Sequence, residues 1–301
     1  MTLYTQAEIN IRKTWFLISL FLVLIIFLGW LFSYLFNEQW ILLVAVIWAI
    51  VQSFSSYWYS DKIILSLSQA YGPISKRDNP ELYRLVENLA ITAGLPTPKI
   101  YIINDPSINA FTTGRDPQHA IICVTSGLLE KLDKVEKEGV LSHEFAHIGN
   151  RDILLGSVIV VLVGVISILS DIFLRRMIFL RVSRDDKNDS FRIILFLLGI
   201  IFALIAPLAG VLIQLAISRK REFLADATGA LLTRYPEGLI RALEKIQKDP
   251  LPLRTATSAT SHLFISDPFK IEKHSWFSKL WQTHPPIEDR IKALQNINVF
   301  N

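Results

Sequence analysis

Four long stretches of the chain are almost free of charge: Thr14 to Phe36, Trp40 to Tyr57, Ile153 to Ser170 and Ile193 to Ile217. A helix needs roughly 20 apolar residues to cross a hydrocarbon core, so the first and last runs suffice outright. The other two suffice if a polar flank is tolerated near one end. Only Asn37, Glu38 and Gln39 separate the first two runs, which predicts a tight helical hairpin with both ends on one side of a membrane. Arg12 and Lys13 precede the first run, so a cleaved signal peptide is the alternative to weigh. The run exceeds the usual apolar core of such a peptide, roughly 7–15 residues, and no small-residue cleavage site follows it. It reads as a retained anchor.

The pattern therefore divides the chain into an N-terminal hairpin (1–57), a polar segment (58–152), a second apolar pair (153–217) and a second polar segment (218–301). The two polar segments form one discontinuous domain. Leu82, Leu85, Val86 and Leu89 recur at helical spacing between Pro80 and Ala93, and Gly94 with Pro96 ends that helix. The Ile- and Val-rich stretches Lys99 to Ile103 and His119 to Val124 read as short strands. Ser126-Gly127 closes the second strand, and Leu128 to Arg151 reads as mostly helical. Further helices are expected through Gly229, from Pro236 to Lys248 and from Pro286 to Leu294.

Charge adds an orientation. The loop between the first two runs has no Lys or Arg, whereas the segment leading to Arg151 is rich in both, so that segment and the N-terminus face the cytoplasm. The stretch joining the third and fourth runs carries Arg175, Arg176, Arg181, Arg184, Lys187 and Arg192. Two readings fit it: a second spanning hairpin with a basic outer loop, or an apolar hairpin that packs on the soluble domain or dips partway into the bilayer. The spanning hairpin is preferred, and either reading leaves both polar segments on one side.

Composition agrees with a lipid environment, since 51% of the 301 residues are hydrophobic. The formal net charge of +4 comes from scattered residues without a basic-aromatic platform, which argues for anionic lipid headgroups as partners and against nucleic acid. The single cysteine, Cys123, excludes an internal disulfide and a cysteine-rich metal site, and reads as a small core residue.

The chemistry is concentrated in His143-Glu144-Phe145-Ala146-His147. On a helix, residues four apart share a face, so both imidazoles can reach one metal ion while Glu144 stands beside it near a bound water. Zinc suits such a pair and keeps a position open for water in catalytic sites. The bland alternative is two histidines that pack a helix. Glu222 and Asp226 also share a helical face. One could complete the zinc site while the other accepts a ligand imidazole's N–H, or Glu222 could merely pair with Arg219 or Arg221.

These residues resemble the HtpX family of membrane-bound zinc endopeptidases, relatives of the CaaX prenyl proteases. The resemblance is carried by Asn109-Ala110-Phe111-Thr112-Thr113-Gly114, Val124 to Leu129, Leu141 to Asp152, Ser218 to Asp226, His262 to Ile265 and Thr283 to Arg290, in family order. Thr112 stands where the family pattern has Ala. The resemblance implies His143, His147 and Glu222 as ligands of one Zn2+, Glu144 as catalytic base and Asp226 as a supporting carboxylate. It implies a mainly α membrane protein: four hydrophobic helices in two hairpins plus a discontinuous α+β zincin-like domain. It further implies cleavage of misfolded membrane proteins or unfolded segments on the cytoplasmic side of the bacterial inner membrane.

The remaining candidates carry less. His284, before two prolines, either hydrogen-bonds a developing oxyanion or caps a helix. Arg290 reads as structural, paired with a carboxylate near the site. His119, His262 and His274 read as surface or packing residues, and Asn109 as a turn residue. The substrate is expected to add as a strand at an edge near His119 to Val124. A prenyl protease acting on lipidated C-termini uses the same chemistry and is the nearest rival. A non-enzymatic scaffold with a structural metal is the rival of another class, disfavoured because such a site has no use for Glu144.

Overall fold

A computed structural model describes residues 3–182, 219–270 and 284–297. Helix α1 (Leu3–Phe36) begins well before the apolar run and packs against α2 (Gln39–Trp58). On α1, Asn10, Thr14, Leu17, Ile18, Phe21 and Ile25 are buried along one face, while Trp15, Phe16, Leu20, Val23, Phe27 and Trp30 stand exposed. On α2, Trp40, Leu43, Val44, Ile47, Trp48 and Val51 are likewise exposed. Such a surface is a liability in water but is solvated by hydrocarbon, and each helix satisfies its own backbone hydrogen bonds. Among the described residues, Ala7–Tyr34 and Gln39–Trp58 are long and apolar enough to cross a membrane.

After the short helix α3 (Ser60–Leu67), the polar domain opens with α4 (Pro80–Ala93). Asn79 caps it by accepting the Leu82 N–H at 3.0 Å, Pro80 occupies the first turn, and Gly94 closes it with a left-handed φ of 64°. Strands β1 (Lys99–Ile103), β2 (Ala110–Thr113) and β3 (Ile121–Thr125) form a sheet in the order β1-β3-β2. β3 runs parallel to β1 and antiparallel to β2. Ile122 and Val124 face a core shared with Leu85, Leu89, Leu141 and Phe145; Ile121 and Cys123 face the opposite cluster with Leu155 and Ile159. Burial on both faces is why this strand reads as unbroken apolar sequence.

The strand order corrects one expectation. The stretch near His119 to Val124 lies on the central strand, paired on both sides, so it offers no edge to a substrate. The edges are β1 and β2, and β2, which reaches Glu144 through Thr112, belongs to the Asn109 to Gly114 segment. Its outer side meets Phe264 at Phe111, and no strand among the described residues extends that pairing past the bridge.

The stretch from Leu128 to Arg151, expected to be mostly helical, is so, as two helices, α5 (Ser126–Lys131) and α6 (Lys134–Gly149). Asp133 and Glu136 form a reciprocal capping box that starts the second one afresh. The chain then turns by 83° into α7 (Asp152–Val182), through Arg151 at φ 59°. The first turns of α7, Ile153 to Val163, are buried against α1, α2, α3 and β2. The start of the third apolar run therefore belongs to the protein interior. The fourth run, Ile193 to Ile217, and the basic loop before it from residue 183 onward lie outside the described residues, as does His274.

Helices α8 (Arg219–Thr233), α9 (Pro236–Lys248) and α10 (Ile287–Gln295) complete the domain. Both α8 and α9 pack on α6, and glycine sets the spacing. A Cβ on Gly229 of α8 would lie 2.9 Å from the His143 backbone nitrogen, and one on Gly139 of α6 would lie 2.5 Å from the Leu239 nitrogen. Gly229→Val is expected to force α8 away from α6 and cost about 1–3 kcal/mol, seen as a lower melting temperature in detergent. Gly164→Ala, whose Cβ meets nothing within 4 Å, is the matched control and should melt like the wild type.

Candidate active site

His143 and His147 project from α6 on one face, with ring centroids 4.7 Å apart. Their Nε2 atoms lie 3.1 Å apart. Each ring is held from behind by a carboxylate. His143 Nδ1 lies 2.9 Å from Asp226 Oδ1, and His147 Nδ1 lies 3.0 Å from Asp152 Oδ2. A carboxylate accepts, so each Nδ1 carries a hydrogen, and a neutral ring then presents its Nε2 lone pair to the other. At that distance the two Nε2 atoms need a positive charge between them, either a proton on one ring or a bound metal cation.

Glu222 on α8 supplies the third corner. Its oxygens lie 3.7 Å from each Nε2, too far for hydrogen bonds, and Oε2 is buried without a hydrogen-bond partner among the described residues. One atom from each of His143, His147 and Glu222 falls within a 4.8 Å cluster. Ligands held tetrahedrally at the usual ~2.0–2.1 Å from zinc stand ~3.3–3.4 Å apart, so the spacing fits such an ion with small adjustments.

The surroundings favour positive charge at this point. Burial opposes protonation of His147, but the Asp152 hydrogen bond and the charges of Glu222, Asp152 and Glu144 raise it to about 9. Burial likewise opposes ionisation of Glu222, yet His284, His147, His143 and Arg290 hold it down at about 2. The same field that favours an imidazolium draws in a metal cation.

Glu144 is 1% exposed and lies next to His143 on α6. Burial raises its carboxyl above the ordinary range, against the pull of the two histidines and of Thr112. The Thr112 hydroxyl on β2 donates to Glu144 Oε2 at 2.9 Å, while Oε1 has no hydrogen-bond partner among the described residues. One oxygen is thus anchored and the other remains available.

Arg290 of α10 is fully buried and closes the arrangement from below. Its Nε and Nη2 donate to the two oxygens of Asp226 at 2.8 and 2.7 Å, and Nη1 donates to the Ile265 carbonyl at 2.7 Å. Burial opposes ionisation of Asp226, but this paired guanidinium holds it well below the usual carboxylate range. The reading of Arg290 as a structural partner of a nearby carboxylate thus has a specific carboxylate.

His284 lines the cavity with His143, His147, Glu222, Arg221, His262 and Thr112. It lies two residues before Pro286, which occupies the N-cap of α10, so His284 is not the cap itself. Burial lowers it to about 4, with Arg290, His143 and His147 acting in the same direction and Glu222 opposing. His262 is packed inward with Nε2 3.2 Å from the Gly156 carbonyl, and His119 sits at the surface between Arg115 and Asp116. Asn109 spans a loop contact, donating to the Ser266 carbonyl at 3.4 Å.

Two neighbours, Asp152 and Thr112, have no assigned role at the level of sequence, and Arg221 is read there only as a pairing partner for Glu222. Asp152 orients His147, Arg221 Nη1 donates to Asp152 Oδ1 at 3.3 Å, and Thr112 holds Glu144. The motif around residue 152 carries the first signal. The side chain's destination depends on the bend between α6 and α7.

Two imidazoles and a carboxylate converge in a buried cleft beside a further carboxylate, a donor set that suits a metal ion, and the chain is a metalloprotease, a hydrolase of peptide bonds, by its family. The profile of Peptidase family M48 matches residues 76–298, and the chain belongs to that family. It is similar to the protease HtpX homologs: 46% identical over 302 residues to that of Caldanaerobacter subterraneus subsp. tengcongensis, covering 99% of each chain. Against the homolog of Thermoanaerobacter pseudethanolicus it is 44% identical over 304 residues, again covering 99% of each. The solved structure of S. mikatae Ste24p aligns with a TM-score of 0.49 and 21% identity, over 97% of this chain and 66% of that one. This chain thus spans just under two thirds of the length of that structure.

Arg290→Met tests the buried pair. It leaves the Asp226 charge uncompensated and should cost about 3–5 kcal/mol of stability, measured by denaturant unfolding in detergent. A loss below about 1 kcal/mol would mean that Asp226 has other adequate partners.

Proposed function

We propose that the chain is a zinc endopeptidase anchored in the bacterial inner membrane. In this reading His143, His147 and Glu222 are the zinc ligands, Asp226 is a supporting carboxylate and Glu144 is the general base. The observation that carries the reading is the convergence of those three ligand atoms within 4.8 Å, with each imidazole already fixed by a carboxylate on its far nitrogen.

Zinc bound there supplies a Lewis acid that acidifies water and polarises a scissile carbonyl. The protein's own part falls to three side chains. Glu144 takes a proton from the attacking water at its free Oε1 and returns it to the leaving amine. Thr112 keeps the other oxygen still. His284, from the cavity wall, donates a hydrogen bond to the oxyanion as it forms. An extended peptide lies beside β2 at Thr112, the strand residue that reaches Glu144, beyond the bridge from Phe111 to Phe264.

The domain is divided as its apolar pattern implies: hairpin 1–57, first protease segment 58–152, second apolar pair 153–217 and second protease segment 218–301. The protease segments face the cytoplasm, because the Lys- and Arg-poor loop Asn37 to Gln39 is the translocated one. The second apolar pair spans as a further hairpin. By the resemblance of its motifs, the substrates are misfolded membrane proteins or unfolded segments.

The test is cleavage of an unfolded protein by the purified chain in detergent, beside Glu144→Gln. The wild type should cut, and the variant should bind equal zinc while cutting at least 100-fold more slowly, as expected for loss of a general base worth about 10²–10⁴. A peptide substrate with alternate backbone nitrogens methylated should resist cleavage, and unimpaired cleavage would exclude strand addition at β2. Equal activity of the Glu144→Gln variant would remove Glu144 from the mechanism.

A further inference from the structure

Helix α1 does more than hold the protease in the bilayer. Asn10 lies on its buried face at 0% exposure, one turn before Thr14. Its amide nitrogen donates to the Asn150 carbonyl at 3.0 Å and to Asp152 Oδ1 at 2.7 Å. Both partners can only accept, so the side chain must present its NH2 group to them; a flipped amide would set three oxygens against one another. Asp152 uses its other oxygen, Oδ2, to hold His147 Nδ1 at 3.0 Å. The Arg221 contact to Oδ1, at 3.3 Å, is the longer of the two contacts there. Asn10 thus grips both the carbonyl at the α6–α7 bend and the carboxylate that follows it.

We propose that Asn10, on the membrane helix, is a positioning residue of the metal centre, acting through Asp152 to fix the ring of His147. The inference rests on the zinc reading above. Partners of ligand imidazoles set ring orientation and tautomer, and their loss typically costs about 10–100-fold in metal affinity or activity. Asn10 acts one bond further out, so the lower end of that range applies. The bland alternative is that Asn10 only glues α1 to α7, as buried polar residues do between membrane helices. The two differ in whether disturbing Asn10 reaches the metal or only the packing. The consequence of the first is that the geometry of a ligand is referenced to the membrane anchor, which lies 142 residues away from Asp152 in sequence.

The experiment is competition for zinc between a chromogenic chelator and the full-length protein in detergent, with melting temperatures of each variant in parallel. Asn10→Ala is expected to weaken zinc binding about tenfold. Asn10→Ser, which keeps a polar atom but cannot span both acceptors, is the second variant if the alanine protein does not fold, and should also weaken binding. Thr14→Val removes the hydroxyl that donates to the Asn10 carbonyl on the same buried face without touching Asp152, and should bind zinc like the wild type. In an Asp152→Ala background, Asn10→Ala should add no further loss, because the residue it acts through is gone.

Wild-type zinc affinity in folded Asn10→Ala or Asn10→Ser would overturn the proposal. So would an equal loss from Thr14→Val, or a full additional loss in the Asp152→Ala background, since both assign the effect to packing. If the wild type itself binds no zinc, the metal reading falls and takes this inference with it, an outcome distinct from a variant that matches a zinc-binding wild type.

Discussion

The charge of Arg290 is buried completely, and the catalytic end of the domain is arranged around its neutralisation. An isolated buried charge is so costly that it persists only with a partner in good geometry. Asp226 provides that partner through two short hydrogen bonds, which joins α10 to α8. Asp226 also meets His143 Nδ1, which joins both helices to α6. A single carboxylate therefore satisfies a buried cation and aims an imidazole. Helix α8 cannot move without breaking the pair, and Glu222, one turn earlier on the same helix, is carried to its position opposite the two Nε2 atoms.

His147 is supported by a parallel device built from different parts. Its carboxylate, Asp152, comes from the far side of a sharp bend rather than from a neighbouring helix. The bend converts a continuation of α6 into α7, whose first turns are buried among the membrane-proximal helices. One imidazole is thus referenced to the protein's own polar core and the other to the apolar part of the structure. The site sits at the junction of these two bodies of packing.

Much of this was legible in the residues. Spacing of four placed His143 with His147 and Glu222 with Asp226, because a helix puts such residues on one face. It left Glu222 open between metal ligand and ion pair, since spacing says nothing of what lies opposite. The helix from Pro80 to Ala93 was readable from the spacing of its leucines and Val86 and from Gly94 and Pro96, each a local signal. Asp152 was not readable in its role. Five residues beyond His147, it would stand about 140° around a straight helix, and only the bend brings it back. The order of the strands was equally hidden, because both stretches read as apolar and the four residues of β2 are too short for a periodic signal. Thr112 drew notice only as a departure from a pattern, whereas its hydroxyl reaches Glu144.

The central claim is a three-residue zinc site with one position left for water. X-ray absorption at the zinc edge of the purified protein in detergent reads it most directly. The account predicts one zinc per chain with two imidazole nitrogens and oxygen ligands at about 2.0–2.1 Å, and loss of the ordered imidazole signal when His143 is replaced by alanine. A first shell without imidazole, or an unchanged spectrum in the His143→Ala protein, would contradict it.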